Sequence, residues 1–374
     1  MKAVTDVMAA RGHEQVVFVA DAPSGLRAVI AVHSTKLGPS LGGIRFWRYA
    51  SEDDAVRDAL RLSEAMTLKA AAAGLDQGGG KAVVLVDDPD AHRSVELLRA
   101  LGRAIHELGG RYLAAEDVGA TTRDMDIIAE VTPWVTGVDP AAGGSGDPSP
   151  VTAVGIAAAM RAALREVDGE ARLAGRRVAV QGVGHVGAHL AGILTEAGAS
   201  VVVADTNTPR ARDVAAKTGA DVLAPDEILE VECDVLSPCA LGGVLDDLTV
   251  PRLRCRAVCG AANNQLSDDA IDGLLAARGV LYAPDFVANA GGIINIAEEF
   301  TGYSRDRALA RVARIEPTMA RVFDRARASG VPPGAAAVAM ARERLEAEGA
   351  GRRWMPGDAA AWTGGAPLRR LRPT

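Results

Sequence analysis

Apolar residues in the first third of the chain follow both helix and strand patterns. Apolar positions at helical spacing predict a long helix that begins at a Ser51 cap and reaches Lys69, and an amphipathic helix over residues 94–108. Short apolar runs bounded by turn residues predict three strands, at 15–20, 26–32 and 81–87. This part of the chain is therefore predicted to be a mixed α/β domain.

The second half of the chain has a different pattern. From residue 152 to about 325, helices alternate with short apolar strands, which predicts a doubly wound parallel sheet of Rossmann type. The densest Gly/Pro/Ser segment, Asp139–Pro150, separates the two patterns. We therefore predict two α/β domains with a cleft between them. Residues 1–138 form the first, with the C-terminal helices of 326–374 packing back on it, and residues 139–325 form the second.

A glycine-rich turn follows a strand near the start of the second domain. The order of strand, Gly-x-Gly-x-x-Gly turn, helix and second strand ending in an acid is typical of a dinucleotide site, because the glycines let a pyrophosphate approach the helix N-terminus. The terminal acid, Asp205, would accept hydrogen bonds from the ribose hydroxyls and repel a 2′-phosphate, so NAD is the expected cofactor, although Arg210 lies nearby. The predicted cofactor residues of this motif are Gly182, Gly184, His185, Val186, Gly187, Asp205 and Thr206.

Two lysines in the stretch Met66–Lys81 are the main candidates for chemistry. Lys69 ends an alanine-rich helical run, and Lys81 follows three glycines that let a substrate come close to its amine. One ammonium can hold an anion. The other, if it is desolvated, can lose its proton near neutral pH and act as a base.

Composition and charge exclude several classes of function. The chain has 374 residues, 48% of them hydrophobic and 24% charged, and a net charge of −7, which is typical of a globular protein that does not bind nucleic acid. The basic tail Pro367–Thr374 is short and is expected to be a solvated terminus or an oligomer contact. No apolar run approaches the ~20 residues that span a membrane, and Met1–Asp21 has no signal-peptide pattern, so a cytoplasmic location without membrane contact is expected.

The four cysteines and six histidines show no metal-ligand spacing. The cysteines are expected to be small buried thiols, and no metal site is predicted.

Several further motifs occur in a consistent order along the chain. With them, the chain resembles the glutamate/leucine/phenylalanine/valine family of amino acid dehydrogenases, and the leucine and valine members most closely, from about His13 to Leu345. The stretches that carry the resemblance are Leu37–Arg45, Met66–Lys81, Ala115–Gly119, Gly144–Thr152, Pro238–Gly243, Gly260–Leu266 and Asn289–Gly292.

The resemblance implies reversible, NAD-dependent oxidative deamination of an L-amino acid to its 2-oxo acid and ammonia. The domain of residues 1–138 would then bind substrate and carry catalysis. Lys69 matches the lysine that binds the substrate carboxylate, helped by Asn263 and a glycine loop at Gly42–Gly43. Lys81 matches the catalytic lysine, and Asp117 matches the acid that exchanges protons with the amino group.

Neighbouring acids are weighed against Asp117. Glu116 could be the acid instead, but strand alternation turns only one of the two toward the site, and the position in the family favours Asp117. Asp147 is interpreted as a loop-turn residue. A further set of residues lies where relatives contact the nicotinamide and its ribose: Thr152, Cys239, Ala240, Ala261, Ala262 and Asn263.

The predicted side-chain pocket is aliphatic. It is lined by Leu41, Ala115, Ile293 and Ile296, and relatives that prefer phenylalanine tend to have glycine at the position of Ala115 and a changed residue at that of Ile293. Leucine, valine and isoleucine are thus the expected substrates, and glutamate is disfavoured because its γ-carboxylate would lack a partner. A phenylalanine dehydrogenase and a non-catalytic NAD-binding sensor are the alternatives.

Two departures from the family, Ile44 and Leu68, leave the ranking of these substrates open. A homo-oligomer is expected, and its size, from dimer to octamer, is left open too.

Overall fold

The computed structural model describes residues 3–89, 91–351, 354 and 358. Contacts divide the chain into two compact units. Unit 1 contains the residues up to Asp147, Ile296–Arg305 and the residues from Ala341 onward, and unit 2 contains Pro148–Asn295 and Asp306–Met340. The predicted basic tail at 367–374 lies outside the described residues.

Unit 1 is built on a five-stranded mixed sheet in the order β1-β2-β4-β3-β5. Strands β1, β2 and β4 pair antiparallel, whereas β3 pairs parallel with both β4 and β5. The strands are β1 (Gln15–Asp21), β2 (Leu26–Ser34), β3 (Ser40–Trp47), β4 (Gly78–Leu85) and β5 (Tyr112–Glu116). The helices before residue 147 are α1 (Val4–Arg11), α2 (Glu52–Ala72), α3 (Val95–Glu107) and α4 (Thr122–Ala129), and a 3₁₀ turn covers Pro140–Ala142.

Helix α2 forms where its cap and its apolar face predict it. The Ser51 side chain accepts a hydrogen bond from the backbone N–H of Asp54, and three acids in the first turn favour the positive end of the helix dipole. Its buried face, which includes Val56 and Leu60, packs against Val29 and Val83 of the sheet. This packing fixes the helix that carries Lys69.

Strand β3 was predicted as a glycine loop at Gly42–Gly43, and that prediction is wrong. The two glycines lie within a strand that pairs with β4 on one side and with β5 on the other. A Cβ added to Gly42 would lie 1.7 Å from the carbonyl oxygen of Gly80. Glycine is present here because two backbones approach closely within the sheet, and not because the chain turns.

Unit 2 contains a six-stranded sheet in the order β11-β10-β9-β6-β7-β8, in which every pairing is parallel. With β6 counted as the first strand, this is the order of the doubly wound dinucleotide-binding fold, with its switch point between β6 and β9. The strands are β6 (Arg177–Gln181), β7 (Ser200–Ala204), β8 (Asp221–Val222), β9 (Cys233–Pro238), β10 (Cys255–Val258) and β11 (Leu281–Tyr282).

Helices cover this sheet and continue to the end of the described chain. They are α5 (Ser149–Asp168), α6 (His185–Glu196), α7 (Thr208–Thr218), α8 (Ala270–Ala277), α9 (Asp285–Ala288), α10 (Gly291–Ala297), α11 (Arg305–Val312), α12 (Ile315–Ser329) and α13 (Pro333–Gly349), with 3₁₀ turns at Val250–Arg252 and Glu298–Thr301. In the part of the chain that the structure describes, no helix is both long and apolar enough to cross a bilayer.

The C-terminal helices are assigned to the two units differently from the prediction, in which all of residues 326–374 pack on the first domain. Residues 306–340 pack with unit 2. Arg161 and Arg165 of α5 both form ion pairs with Glu316 of α12. Gly155 of α5 leaves room for the side chain of Ile315, since a Cβ there would lie 2.7 Å from its Cδ1. These contacts hold α12 against α5.

Candidate active site

Three adjacent strands of unit 1 place a lysine, a glycine and an alanine side by side. Gly43 of β3 pairs with Ala115 of β5, and the register of β3 with β4 places Lys81 opposite Gly43. Residues that pair directly between strands share one face of a sheet, and so do residues two apart along a strand. Leu41, Gly43, Lys81 and Ala115 therefore lie on one face, as the predicted pocket requires.

Gly43 keeps the space beside the lysine clear. A Cβ added to Gly43 would lie 3.2 Å from Lys81 Nζ and 2.5 Å from the Cβ of Asp117. Any side chain at position 43 would thus press on both groups, and only glycine leaves room for another molecule to approach the amine.

Lys81 and Asp117 form a buried ion pair. Lys81 Nζ lies 2.7 Å from Asp117 Oδ2, and Lys81 is only 3% exposed. Burial lowers the pKa of Lys81 below its usual range, and the neighbouring carboxylate of Asp117 only partly opposes this. Burial would raise the pKa of Asp117, but Lys81 and Arg45 outweigh it and keep that pKa below its usual value. The pair combines an amine that readily loses its proton with an acid that stays ionised.

Arg45 of β3 is a part of this site for which the sequence pattern suggested no role. Its Nε donates a hydrogen bond of 2.9 Å to the same Asp117 oxygen, and its NH1 donates to Asp58 of α2 at 3.0 Å. Arg45 stands two residues after Gly43, and so on the same face, which is the only signal in the sequence that could have identified it.

Lys69 lies in the last turn of α2 and is half-buried. Two residues earlier, the backbone nitrogen of Thr67 would lie 2.1 Å from a Cβ on Gly79. The glycines of β4 therefore let the end of α2 pack directly on the strand that carries Lys81. Ile296, which is half-buried, also belongs to unit 1.

Glu116, the last residue of β5, points away from this face because it follows Ala115 by one residue in the strand. Burial raises the pKa of Glu116 to about 7, and the carboxylates of Asp147 and Asp124 add to the effect. Of the two adjacent acids, Asp117 is the one that pairs with Lys81.

We expect Glu116→Gln to stabilise the protein at pH 8 and to have little effect at pH 5. The folded pKa of about 7 lies above the unfolded value of about 4.3, so the protonated carboxyl stabilises the fold at low pH and this contribution is lost as pH rises through 7. After a discount for solvent screening at this half-exposed group, the gain in unfolding free energy at pH 8 should be about 1–2 kcal/mol. Urea unfolding at both pH values measures it, with the exposed Glu107→Gln as control. An equal gain at both pH values would contradict it.

The glycine-rich turn of unit 2 has the shape that a dinucleotide needs. Gly182 has a φ of +91°, and a Cβ on it would lie 2.7 Å from the Cβ of Ala240. A Cβ on Gly187 would lie 2.0 Å from the carbonyl oxygen of Gly182. Gly184 caps α6 without any side-chain hydrogen bond, and a Cβ there would meet nothing within 4 Å. The first turn of α6, with His185 and Val186, therefore begins behind a close-packed loop that is open at Gly184, which fits a pyrophosphate.

Asp205 follows β7 directly and is fixed to the same loop. Its Oδ2 accepts a hydrogen bond from the backbone N–H of Val183, and its Oδ1 accepts one from that of Asn207. Arg210 donates to both oxygens. Burial would raise the pKa of Asp205, but these donors outweigh it and hold the pKa below its usual range. Thr206, next to it, is exposed.

The remaining predicted cofactor residues gather at the ends of β9 and β10. The backbone N–H of Cys239 donates to Gln181 at the end of β6, and that of Ala262 donates to Pro238. Asn289, to which the sequence pattern assigned no role, donates through Nδ2 to the carbonyl oxygen of Ala261 and to Asn263 Oδ1. The switch-point loops after β6, β9 and β10 are thereby tied to one another.

Thr152 and Ile293 lie elsewhere in unit 2. Thr152 is in the first turn of α5, and its Oγ1 would lie 2.8 Å from a Cβ on Gly292. The buried Ile293 is the next residue of α10. Glycines 291 and 292 thus bring these two helices into close contact.

All four cysteines are free thiols, and among the described residues no cluster of His, Cys, Asp or Glu could hold a metal ion. Burial raises the pKa of Cys239 above its usual value, so its thiol stays protonated.

Two family profiles match this chain. The dimerisation domain of Glu/Leu/Phe/Val dehydrogenases matches residues 13–133, and the glutamate/leucine/phenylalanine/valine dehydrogenase domain matches residues 143–210 and 203–347. Leucine dehydrogenase of Thermoactinomyces intermedius is 49% identical over 343 residues, which are 92% of this chain and 93% of that protein. Valine dehydrogenase of Streptomyces virginiae is 48% identical over 341 residues, 89% and 94% of the two chains.

Solved structures agree with the sequences. The L-tryptophan dehydrogenase from Nostoc punctiforme has a TM-score of 0.82 and 38% identity, and the match covers 92% of this chain and 99% of that one. The matches define an amino acid dehydrogenase of the NAD(P)-dependent class. The chain belongs to the glutamate/leucine/phenylalanine/valine dehydrogenase family, which confirms the resemblance and the two-domain α/β fold class.

Proposed function

We propose that the protein catalyses the reversible, NAD-dependent oxidative deamination of a branched-chain L-amino acid to its 2-oxo acid and ammonia. The observation that supports this best is the buried Lys81 amine, held 2.7 Å from Asp117 beside the clearance at Gly43. A lysine whose pKa is lowered by burial can serve as a base near neutral pH, and the clearance allows a substrate to reach it. The leucine and valine dehydrogenases among the relatives support the substrate class.

Each side chain then has a defined task. Lys69, in the last turn of α2, holds the substrate carboxylate, assisted by the backbone of Gly42–Gly43. Asp117 holds the substrate nitrogen and exchanges protons with it. The amino group must be neutral, because its lone pair forms the carbon–nitrogen double bond as the Cα–H bond breaks. NAD, when bound, supplies the acceptor for the hydride that leaves Cα.

Lys81 acts in the second half of the reaction. Water adds to the carbon of the imine, and neutral Lys81 accepts the proton that the water loses. Asp117, which earlier takes a proton from the substrate ammonium, returns it to the nitrogen. The carbon–nitrogen bond then breaks, the hydroxyl left by the water gives its proton to the Asp117 carboxylate, and ammonia leaves as the 2-oxo acid forms. In the reverse direction Lys81 begins protonated, so the direction of the reaction follows the pH.

NAD is the proposed cofactor rather than NADP because of Asp205. Asp205 is only 8% exposed and its carboxylate is kept ionised, so it favours ribose hydroxyls and repels a 2′-phosphate. Arg210 could attract such a phosphate, but both Asp205 oxygens already engage it. Gly182, Gly184 and the first turn of α6 would hold the pyrophosphate.

The proposed side-chain pocket is aliphatic. Leu41 and the methyl of Ala115 are buried on the face that carries Lys81, and Ile296 is the other residue of unit 1 that we assign to it. One methylene in such a pocket is worth about 1–3 kcal/mol, so leucine, valine and isoleucine should all react, at different rates.

We also propose a homo-oligomer. The profile that matches residues 13–133 is described as a dimerisation domain, and the solved glutamate dehydrogenase of Thermus thermophilus, 26% identical with a TM-score of 0.75, is described as hetero-hexameric.

The proposal is tested by NADH formation at alkaline pH with leucine, valine, isoleucine, phenylalanine, tryptophan and glutamate, each with NAD and with NADP. We expect the aliphatic substrates with NAD to give the highest kcat/KM, and Ala115→Gly to shift the preference toward phenylalanine. If the unaltered protein is most active on phenylalanine, the proposed aliphatic pocket is wrong, whereas the proposed deamination reaction still stands. If no substrate is oxidised but calorimetry still shows NAD binding, the result favours the alternative of a non-catalytic NAD-binding sensor.

A further inference from the structure

A chain of alternating charges extends from Lys81 into helix α2. Lys81 pairs with Asp117, Asp117 with Arg45, and Arg45 with Asp58, at 2.7, 2.9 and 3.0 Å. At the far end, Tyr49 donates to Asp58 Oδ2 at 2.7 Å and Arg61 donates to its Oδ1 at 2.9 Å. Asp58 is therefore held on three sides, and through Arg45 it is connected to the proposed catalytic pair.

We propose that Arg45, clamped between Asp117 and Asp58, is a positioning residue that holds Asp117 beside Lys81 and places a second cation next to that amine. Lys81 and Arg45 both engage Oδ2 of Asp117, and we assign Oδ1 to the substrate nitrogen. This inference rests on the proposed function, because it concerns the same acid and base.

The geometry suits an arginine and no other cation. Arg45 uses Nε for Asp117 and NH1 for Asp58, so its planar guanidinium spans two carboxylates in fixed directions. A lysine at this position would supply one point charge and could not hold both partners in the same way. The side chain of Arg45 is 22% exposed and those of Asp117 and Asp58 are 25% and 16% exposed, so solvent screens the chain of charges only weakly.

The charged groups near Lys81 come from several elements. Asp117 follows β5, Arg45 lies on β3 and Asp58 lies on α2, while the β2 residue opposite Lys81 is the uncharged Ala31. Arg45 lowers the pKa of Lys81 by charge repulsion, whereas Asp58 raises it. The two residues should thus act on Lys81 in opposite directions, a pattern that simple damage to the fold would not produce.

The chain offers a direct measurement of this effect. It has five lysines, at positions 2, 36, 69, 81 and 217, so lysine ε-carbon resonances can be followed by NMR in the whole protein, and Lys81→Ala assigns the relevant signal. We expect Arg45→Met to raise the pKa of Lys81 by about one unit, a tenfold loss of neutral amine at a given pH. Asp58→Asn should lower it by a smaller amount. Arg57→Gln, which removes an exposed arginine of the same helix paired with Asp54, should leave it unchanged.

The pH dependence of kcat/KM should shift in the same directions as the Lys81 pKa in these variants. The acidic limb of the kcat/KM profile should move to higher pH in Arg45→Met and to lower pH in Asp58→Asn. Arg45→Lys should keep the limb close to that of the unaltered protein and lower kcat, since the charge remains and the clamp is lost. If Arg45→Met does not fold, the inference is tested by the Lys81 pKa in Asp58→Asn and by kcat in Arg45→Lys.

An unchanged Lys81 pKa in folded Arg45→Met and in folded Asp58→Asn, or shifts in the same direction in these two variants, would overturn the inference. An unaltered protein that lacks activity on every amino acid would instead overturn the proposed function, and the NMR titration would still report on Arg45.

Discussion

Lys81→Ala is expected to lower kcat for amino acid oxidation by about 10²–10⁴-fold, the usual contribution of a positioned general base. KM for the amino acid should change much less, because Lys69 rather than Lys81 is the proposed carboxylate ligand. NAD affinity should stay the same, since the glycine-rich turn and Asp205 belong to unit 2. Initial rates and calorimetry with NAD measure the three quantities.

The structure indicates that this variant will fold. Asp117 keeps its hydrogen bond from Arg45 when Lys81 is removed, so no buried carboxylate is left without a cation. Lys217→Ala, an exposed lysine on α7, is the matched control and should behave like the unaltered protein. A small primary amine such as methylamine should restore part of the activity at alkaline pH. Full activity in Lys81→Ala would remove Lys81 from the mechanism.

The nucleotide-binding half of the molecule could be predicted from local sequence alone. A short apolar strand, three glycines at fixed spacing and an acid after the next strand lie within one continuous segment, and each depends on its neighbours in the chain. The structure has β6, α6 and β7 where this pattern predicts them. The tie between Asp205 and the Val183 N–H follows from the same pattern, because both stand at the ends of adjacent parallel strands.

The substrate half depends on pairings that no local pattern contains. Gly42 and Gly43 favour a loop by propensity, and β3 is a strand because Gly80 of β4 lies opposite Gly42 and the two backbones can approach closely there. Arg45 reaches Asp117 only once β3 lies between β4 and β5, although 72 residues separate the two in sequence. Such a contact follows from sheet order, which apolar periodicity does not determine.

A break between two helices near the C-terminus also could not be predicted from apolar periodicity. Apolar residues at helical spacing predict one helix over residues 307–328, and the structure has two, α11 and α12. Pro317 lies in the first turn of α12, where it lacks an N–H and would clash with the carbonyl of Ala313 in a continuous helix. The apolar spacing alone did not reveal this, but the proline could have.

Gly42→Ala should cost the fold more than about 4 kcal/mol, or prevent folding altogether. The added Cβ would lie 1.7 Å from the carbonyl oxygen and 2.6 Å from the carbonyl carbon of Gly80, and backbone atoms of a central strand cannot move away without separating β3 from β4. The carbonyl of Gly42 also accepts a hydrogen bond of 2.7 Å from Tyr112, which that movement would break. Urea unfolding and the soluble yield measure the loss.

Two other glycines make the result specific. Gly192→Ala on α6 adds a Cβ that meets nothing within 4 Å, and it should gain up to about 1 kcal/mol from helix propensity. Gly43→Ala would place its Cβ 2.5 Å from the Cβ of Asp117 and 3.2 Å from Lys81 Nζ, so it should displace the catalytic pair and lower kcat. A Gly42→Ala protein within about 1 kcal/mol of the original would mean that β3 and β4 can separate freely. The glycines would then owe their presence to the substrate alone, and not to the close approach of the two strands.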